Sequence, residues 1–311
     1  MRTGFFGTPQ IAAYCLDEIL KEYTVSCVIT SPDKPAGRGR KLTPSPVKEL
    51  SLTHNIPLLQ PQSLKDPSLH KQMEEFECDL FIVVAYGKII PRLLFDMPRY
   101  GTINLHPSLL PLYRGAAPIQ WALINGEKKT GITVQRINEE LDAGDILLQE
   151  SIDIPMDMTA GELYDLVLPK GAAMLLKTIG GIQDNTITPE PQDHSLATYC
   201  GKINTETARI DWNSTSTEIH NLVRGLNPKP AAWTTFRDKK IKIRRTMPVE
   251  DTLPGASTPG SIHIFPGKRL IARTGCGALE ILQLQPETKK SMDSRSFLNG
   301  YHPNEGELFS S

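Results

Sequence analysis

Short apolar segments alternate with amphipathic segments along the first 188 residues, and this alternation constrains the fold more than any other feature. Residues 9–21 and 160–179 carry apolar side chains at helical spacing, and Pro169 predicts a kink or a break in the second of these helices. Val- and Ile-rich strands that alternate with helices are typical of a mostly parallel sheet with crossover helices. We therefore predict an open α/β sheet. Its candidate strands are residues 3–7, 24–30, 80–85, 102–105, 131–137 and 146–154.

The pattern changes after residue 188. Residues 189–195 (PEPQDHS) are polar and Pro-rich, as linkers often are. Residues 214–226 then predict a helix, which Ser214 or Ser216 caps and Asn227-Pro228 ends. Five further candidate strands predict a small β-barrel or sandwich: residues 232–236, 240–246, 261–265, 269–273 and 277–284. We accordingly divide the chain into a first domain (1–188), a linker (189–204) and a second domain (205–311).

Composition restricts the class of protein. The 311 residues exceed the usual size of one core, and 39% hydrophobic residues with a net charge of −1 indicate a folded chain. No apolar run reaches the roughly 18 residues that a membrane helix needs. Five cysteines without a CxxC pair suggest free thiols in a reducing compartment, so we expect a cytoplasmic protein that does not engage membranes. The seven histidines lack metal-site spacing such as HExxH, so we expect no metal.

A candidate strand ends at Asn104-Leu105-His106 and runs into a Pro-rich loop. Open α/β sheets place their functional sites at such carboxyl ends of strands. Because side chains alternate along a strand, Asn104 and His106 share one face and can reach the same group. The alternative is a histidine that only satisfies hydrogen bonds in the core, and the two interpretations are about equally favoured.

A second polar segment, residues 138–149 (NEELDAGDILLQ), contains Asp142 just before an apolar strand. A carboxylate beside an imidazole orients the ring and stabilises its charged form. Spacing alone favours an ordinary Asp/Gly turn here.

Together, Asn104, His106 and Asp142 suggest acyl transfer without a covalent intermediate. His106 would accept a proton from an attacking amine. Asn104 would donate its amide N–H to the oxyanion, and Asp142 would hold His106 in place. No nucleophilic Ser or Cys is evident, since Pro107 ends the strand before Ser108.

Cations gather in two segments although the whole chain is nearly neutral. Residues 1–188 hold 18 basic and 22 acidic residues (net −4), whereas residues 189–311 hold 16 and 13 (net +3). In KIKIR, alternation places Lys240, Lys242 and Arg244 on one face of a strand. The two basic segments are residues 31–48 and residues 237–245, which include this strand. Both suit the phosphates of an RNA, and a solvated surface is the alternative for each. The cations of the first segment, 31–48, are Lys34, Arg38, Arg40, Lys41 and Lys48.

A series of motifs runs through almost the whole chain. They are FFGTP (5–9), PDKPAGRGRKLTPSPVK (32–48), VVAYGKIIP (83–91), NLHPSLLPLYRGAAPIQ (104–120), LDAGDILLQ (141–149), ARIDW (208–212) and IHNLVRGLNPKPAAWT (219–234). An Asn-x-His followed by SLLP-x-aromatic-RG is similar to the folate-dependent formyltransferases generally. The PAGRG segment and the second domain resemble, more narrowly, the methionyl-tRNA formyltransferase family.

This resemblance implies a Rossmann-like first domain and an OB-like barrel as the second. Asn104, His106 and Asp142 match the family's catalytic residues, and Arg38 matches the arginine that engages the tRNA acceptor end. The implied reaction moves a formyl group from 10-formyltetrahydrofolate to the α-amino group of methionyl-initiator tRNA, for translation initiation. We expect Arg40 and Lys41 to contact the tRNA beside Arg38, and we expect a monomer. The implied folate-binding residues are Val84, Ala85, Tyr86, Gly87, Ser108, Leu109, Leu110 and Pro111.

Two positions depart from the family pattern. Leu112 stands where many members have Arg, and Glu140 where Gly often precedes Leu-Asp. A formyltransferase acting on a sugar amine or a purine precursor is the nearest alternative, but a small substrate needs neither basic segment. A non-catalytic RNA-binding protein on the same scaffold is the other alternative, and the presence of the three matched catalytic residues counts against it.

Overall fold

The computed structural model describes residues 1–36, 41–250 and 258–310. The chain forms two compact units, and each is built from three stretches of sequence. Unit 1 comprises Met1–Gly115, Gly131–Ile152 and Asp165–Tyr199. Unit 2 comprises Ala116–Thr130, Asp153–Tyr164 and Cys200–Ser311. The domain limits inferred from the sequence, at residues 188 and 205, stay a prediction.

The regular elements of the first 200 residues follow the alternation that the sequence predicts. The helices are α1 (Gln10–Leu20), α2 (Pro46–Thr53), α3 (Pro67–Glu74), α4 (Arg92–Phe95), α5 (Pro118–Ile124) and α6 (Ala160–Gln183). The strands are β1 (Arg2–Gly7), β2 (Thr24–Ile29), β3 (Lys34–Ala36), β4 (Lys41–Thr43), β5 (Leu58–Leu59), β6 (Leu80–Val84), β7 (Thr102–His106), β8 (Arg114–Gly115), β9 (Lys129–Arg136), β10 (Ile146–Asp153) and β11 (Tyr199–Cys200). A 3₁₀ turn covers His194–Leu196.

The main sheet has the strand order β10-β9-β7-β6-β1-β2-β5. The pairs β1–β2, β2–β5, β1–β6 and β6–β7 are parallel, whereas β9 runs antiparallel to β7. The chain therefore builds outward from β1 on one side and then returns to β1 on the other, with β6. The crevice at such a reversal, beyond the carboxyl ends of the strands, is where open α/β sheets bind ligands. The mostly parallel, Rossmann-like sheet predicted from the sequence is confirmed.

Apolar strands and one long helix hold this sheet in the core. Every residue of β6 is buried, as expected for a parallel strand covered on both faces. Helix α6 runs unbroken through Pro169, so the predicted break does not occur. In α6, a Cβ on Gly171 would lie 2.9 Å from Cδ2 of Leu105. The helix thus packs closely on the strand that carries the candidate catalytic residues.

Unit 2 is built on an antiparallel sheet. Its further elements are α7 (Ser216–Gly225), β12 (Ala232–Phe236), β13 (Lys239–Val249), β14 (Ile262–Phe265), β15 (Arg269–Arg273), β16 (Ala278–Pro286), β17 (Met292–Asp293) and α8 (Ser294–Tyr301). The strand order is β12-β13-β16-β15-β14, with β17 paired to β16. Thr215 caps α7 in a capping box with Glu218, so the predicted cap at Ser214 or Ser216 is wrong by one residue.

A bridging segment, residues 307–310, links the two edges of this sheet. Ser310 bridges to Thr235 of β12, and Leu308 bridges to Ser261, which directly precedes β14. Both backbone bonds of the first bridge are made, at 3.0 and 2.9 Å. Phe309 between them is buried and stacks on Trp212 with ring centroids 5.5 Å apart. The sheet is consistent with the predicted OB-like barrel, with isolated bridges rather than a full strand joining its edges.

None of the helices in the described ranges is long and apolar enough to cross a bilayer.

Candidate active site

The three side chains singled out in the sequence converge at the carboxyl end of β7. His106 is buried, at 4% exposure, and its Nδ1 lies 3.7 Å from Oδ2 of Asp142. Nδ2 of Asn104 lies 3.5 Å from Oδ1 of the same carboxylate. Asn104 is only half-buried, so its side chain is open to a bound molecule. All three residues belong to unit 1.

The backbone of the Pro-rich loop fixes the imidazole of His106. Nε2 lies 2.9 Å from the carbonyl oxygen of Tyr113. A carbonyl oxygen only accepts, so Nε2 must carry the proton. In the neutral ring Nδ1 is then the free basic nitrogen, and it faces Asp142.

Asp142 is surrounded by donors. Its Oδ2 accepts the backbone N–H of Gly115 at 2.8 Å, and its Oδ1 accepts Nε2 of Gln135 at 3.0 Å. The residue adopts a left-handed conformation (φ 50°), which the following Ala-Gly turn accommodates. A carboxylate, which only accepts, suits this set of partners.

The loop after β7 is held by side-chain bonds to its backbone. The hydroxyl of Ser108 is buried and donates to the carbonyl of Leu112 at 2.6 Å, so it is not placed as a nucleophile. Thr133 and Gln149 hold Leu110 by bonds of 3.2 Å to its N–H and 3.0 Å to its carbonyl. Leu110 is buried, whereas Leu112, the first of the two positions that depart from the family pattern, is 38% exposed. Leu109 and Pro111 are half-buried beside them.

The segment 84–87 begins at the last residue of β6, at the switch point of the sheet. Ala85 and Gly87 are exposed and left-handed, with φ of 46° and 78°, so their backbone groups face outward. Val84 and Tyr86 are buried instead. The Tyr86 hydroxyl has no hydrogen-bond partner in the part of the chain that the structure describes, and burial raises its pKa to about 12. Tyr86 therefore forms part of the core, and the backbone is the part of this segment that is open to a ligand.

A cavity of about 380 Å³ lies beside the turn that leads to Asp142. Its lining comes from α4, through Arg92, Phe95 and Asp96, and from residues 137–140. Glu140, the second departure from the family pattern, is among these residues. Because residue 140 is two positions from Asp142, the cavity and the cluster of Asn104, His106 and Asp142 share one loop.

The predicted RNA contacts divide into two groups. Arg38 and Arg40 lie outside the described residues, and Lys41 starts β4. On β13, Ile241 and Ile243 are buried and the half-buried cations occupy the opposite face, as the alternation predicts. Their role in binding RNA remains a prediction.

The three cations on β13 differ in their surroundings. Nζ of Lys240 lies 3.9 Å from the ring centroid of Trp233. Arg244 donates to the carbonyl of Pro228 and to Oε1 of Gln285. Burial and the neighbouring cations Arg244 and Lys240 lower the pKa of Lys242.

Sequence patterns missed four groups that hold the cluster: the Tyr113 carbonyl, Gln135, Gln192 and Arg114. Gln135 lies directly opposite Asn104 in the β7–β9 pair, but the sequence does not reveal this register. Gln192 lies in the Pro-rich segment interpreted as a linker. Arg114 is 1% exposed, which is unusual for a charged side chain and was not expected from its loop position.

Within the described ranges, no group of three or more His, Cys, Asp or Glu residues is arranged to hold a metal ion.

Comparison with solved structures gives the fold. A sugar 3N-formyl transferase (WlaRD), solved with dTDP and 5-N-formyl-THF, superposes with a TM-score of 0.67 at 22% identity, over 93% of this chain and 99% of that one. HypX from Aquifex aeolicus, in complex with tetrahydrofolic acid, gives a TM-score of 0.65 at 19% identity, over 99% of this chain and 48% of that one. At this level of identity the likeness concerns the fold alone.

Comparison of sequences gives the family. The formyl transferase family matches residues 1–179, and the formyl transferase C-terminal domain matches residues 202–302. A methionyl-tRNA formyltransferase of Clostridium perfringens (strain SM101 / Type A) is 44% identical over 96% of this chain and 97% of its own length. Another, of Alkaliphilus oremlandii (strain OhILAs), is 42% identical over 96% of both chains. The chain therefore belongs to the formyl transferase family, among its methionyl-tRNA formyltransferases.

Proposed function

We propose that the protein transfers the formyl group of 10-formyltetrahydrofolate to the α-amino group of methionyl-initiator tRNA, and that Asn104, His106 and Asp142 carry the chemistry. One observation supports this most: the three side chains meet at the carboxyl edge of β7, within 3.7 Å of one another through Asp142. The product would serve translation initiation.

His106 acts as the base. With its Nε2 proton donated to the Tyr113 carbonyl, Nδ1 has the lone pair that accepts a proton from the attacking amine. The imidazolium that results keeps its bond to the Tyr113 carbonyl, and its new N–H at Nδ1 lies beside the Asp142 carboxylate. The carboxylate 3.7 Å away then stabilises the new positive charge. When the bond between the formyl carbon and N10 of the folate breaks, the imidazolium returns the proton to N10, so tetrahydrofolate leaves and the neutral base is regenerated.

Asn104 stabilises the opposite charge. Its amide makes one long contact, of 3.5 Å, with Asp142, and its other N–H is available to the formyl oxygen. An amide aimed at an oxygen that becomes negative typically contributes about 10²–10³ in rate.

The folate binds along the same edge of the sheet. When bound, it supplies a formyl group that is carried on a nitrogen atom and can be transferred to another amine. The exposed backbone of Ala85 and Gly87 and the cavity between α4 and residues 137–140 are the surfaces of unit 1 that suit it. Glu140 on the cavity wall contributes a negative charge there, which would disfavour the acidic end of a folate.

Unit 2 presents its own binding surface for the tRNA. The row of Lys240, Lys242 and Arg244 gives a positive face on β13, and Trp233 beside Lys240 offers an aromatic surface. Arg38, Arg40 and Lys41 would add contacts from the segment after β3. Such cations bind phosphates largely without regard to sequence.

Formation of N-formylmethionine tests the proposal. The protein is incubated with 10-formyltetrahydrofolate and methionylated initiator tRNA, and the same assay is run with His106→Ala. We expect a loss of at least about 10³-fold in kcat for the variant, with tRNA binding in a filter assay unchanged.

His70→Ala is the matched control, because that ring also contacts a carbonyl (Leu64, 2.8 Å) but lies on α3. Full activity of His106→Ala would contradict the mechanism. Equal turnover of a sugar-nucleotide amine would favour the alternative substrate class instead.

A further inference from the structure

We propose that Gln192 is a positioning residue for formyl transfer, acting on Asp142 through the backbone of its turn and through Gln135. The inference rests on the proposed role of Asp142. Gln192 contacts none of the three catalytic side chains directly, and it lies in a segment whose sequence suggests only a linker.

Gln192 is buried, at 5% exposure, and both the nitrogen and the oxygen of its side-chain amide make hydrogen bonds within unit 1. Its Nε2 lies 3.0 Å from the carbonyl oxygen of Asp142, 2.7 Å from that of Gly144 and 3.2 Å from Oε1 of Gln135. The first two contacts hold the backbone of the turn that carries Asp142. The third reaches the side chain that donates to the Asp142 carboxylate.

Arg114 determines which atoms donate and which accept in this series of hydrogen bonds. Its Nε and Nη2 lie 3.1 and 2.7 Å from Oε1 of Gln192. A guanidinium only donates, so the oxygen of Gln192 must face it and the nitrogen must face the turn. Nε2 of Gln192 has two hydrogens for three oxygens, so its contact with Oε1 of Gln135 shares a hydrogen with a carbonyl of the turn. An oxygen at this position of Gln135 suits that donor, and Nε2 of Gln135 then donates to Asp142 at 3.0 Å. The buried guanidinium of Arg114 thus orients the amide of Gln192. That amide in turn favours the orientation of Gln135 in which its nitrogen faces the Asp142 carboxylate.

The segment around Gln192 is anchored at both ends to unit 1. Glu190 pairs with Ile146 through two backbone bonds of 2.8 and 2.9 Å. Thr198 accepts from Tyr113 N–H through its Oγ1 at 2.8 Å and from Arg114 N–H through its carbonyl at 2.8 Å. One segment therefore holds the Asp142 turn at one end and the residue whose carbonyl fixes His106 at the other. A loose linker would do neither.

Gln192→Met tests the proposal, because methionine keeps the volume and removes the amide. We expect kcat to fall about 10- to 100-fold, as displacement of a reacting group by a fraction of an ångström does, with both KM values within about twofold. Gln135→Met should give a similar loss, and it decides the question if Gln192→Met does not fold. Ser195→Ala is the control: it removes an exposed hydroxyl from the same segment, 2.6 Å from Asp193, and should leave kcat unchanged.

Combination with Asp142→Asn separates positioning from general destabilisation. If Gln192 acts through Asp142, adding Gln192→Met to Asp142→Asn should lower kcat by less than about twofold further. A full 10-fold further loss would mean that Gln192 acts elsewhere and would overturn the inference. The inference would also be overturned if Gln192→Met and Gln135→Met fold and keep the wild-type kcat while Asp142→Asn is impaired. The proposed function would stand in that case. Full activity of Asp142→Asn itself would instead refute the proposed role of Asp142 and with it this inference.

Discussion

The carbonyl oxygen of Tyr113 lies 2.9 Å from Nε2 of His106, on the side of the ring opposite to Asp142. The expectation from the sequence was that Asp142 orients the imidazole. The geometry supports a division of these tasks, in which a backbone carbonyl fixes the tautomer and the carboxylate stabilises the proton on Nδ1. A backbone group cannot be removed by substituting its side chain, so mutations at residue 113 would act through the loop conformation.

Asp142→Asn should lower kcat by about 10²-fold or more while the protein stays folded. The amide removes the negative charge beside Nδ1 of His106. It also places an NH₂ group against either the N–H of Gly115 or Nε2 of Gln135, and neither of these donors can accept a hydrogen bond. Single-turnover formylation measures the chemical step, and circular dichroism checks the fold. A kcat within twofold of wild type would show that the carboxylate is dispensable.

Gly144→Ala should destabilise unit 1 and impair activity together. A Cβ at this position would overlap the carbonyl oxygen of Arg136, which is backbone and cannot turn aside. The turn bearing Asp142 would have to move, at a cost typical of overpacked sites, about 1–3 kcal/mol. Thermal melting and formylation assays measure the two effects.

Gly201→Ala provides the comparison for this variant, since nothing lies within 4 Å of the added methyl group there. We expect the melting temperature and activity of Gly201→Ala to match those of the wild type. Equal behaviour of the two variants would contradict the steric argument.

The stability of unit 2 should fall as the pH drops below about 6.5. Burial lowers the pKa of His220 in the folded protein below its ordinary value of 6.5, and the charge of Arg224 acts in the same direction. In this range His220 binds a proton in the unfolded chain but not in the folded protein. The free energy of unfolding therefore decreases from pH 6.5 down to the pKa of His220 in the folded protein.

Thermal melts at pH 7.5 and pH 5.5, both above the range in which the stabilised carboxylates titrate, measure this dependence. His220→Gln should be less stable at pH 7.5, because bonds to Thr246 and Met156 are disturbed, but should show a smaller pH dependence. An unchanged dependence in that variant would assign the effect to other groups.

Lys242→Gln should weaken tRNA binding without loss of stability. The pKa of Lys242 is already lowered by burial and by Arg244 and Lys240, so removing its charge relieves repulsion. If it contacts one phosphate, the slope of log K against log salt should decrease by about one. Salt titrations of tRNA binding measure that slope, and the exposed Lys177 of α6 supplies a Lys→Gln control expected to leave it unchanged.

Local patterns in the sequence were sufficient for many of the strands and helices and for the common face of Asn104 and His106. For Asp142 spacing alone favoured an ordinary turn, and the catalytic roles of the three residues stay a prediction. Strands β12 and β15 have the predicted limits, and Asn104 and His106 share a face because their spacing is two residues. The supporting groups could not be found in this way. Gln135 and Gln192 reach Asp142 only through a strand register and a chain reversal, and neither leaves a periodic signal.

At two helices the structure differs from one of the alternatives that the sequence suggested, and the causes are local. Helix α6 continues through Pro169 because its surrounding packing, including Gly171 against Leu105, outweighs one missing backbone bond. At α7, three consecutive residues carry hydroxyls (Ser214, Thr215 and Ser216), and Thr215, which the prediction passed over, is the only one with a glutamate three residues ahead.

The bridging segment 307–310 has a consequence for how the protein is made. It follows in the chain every strand that it joins. Trp233 of β12 pairs with the earlier residue Arg209, but Thr235 of β12 and Ser261 before β14 lack their backbone partners until residues 308 and 310 have been synthesised. Unit 1, by contrast, uses no residue after Tyr199 and can complete its sheet while the rest is still being translated. During synthesis, unit 2 is therefore the part of the molecule that stays open longest to pairing with another nascent chain.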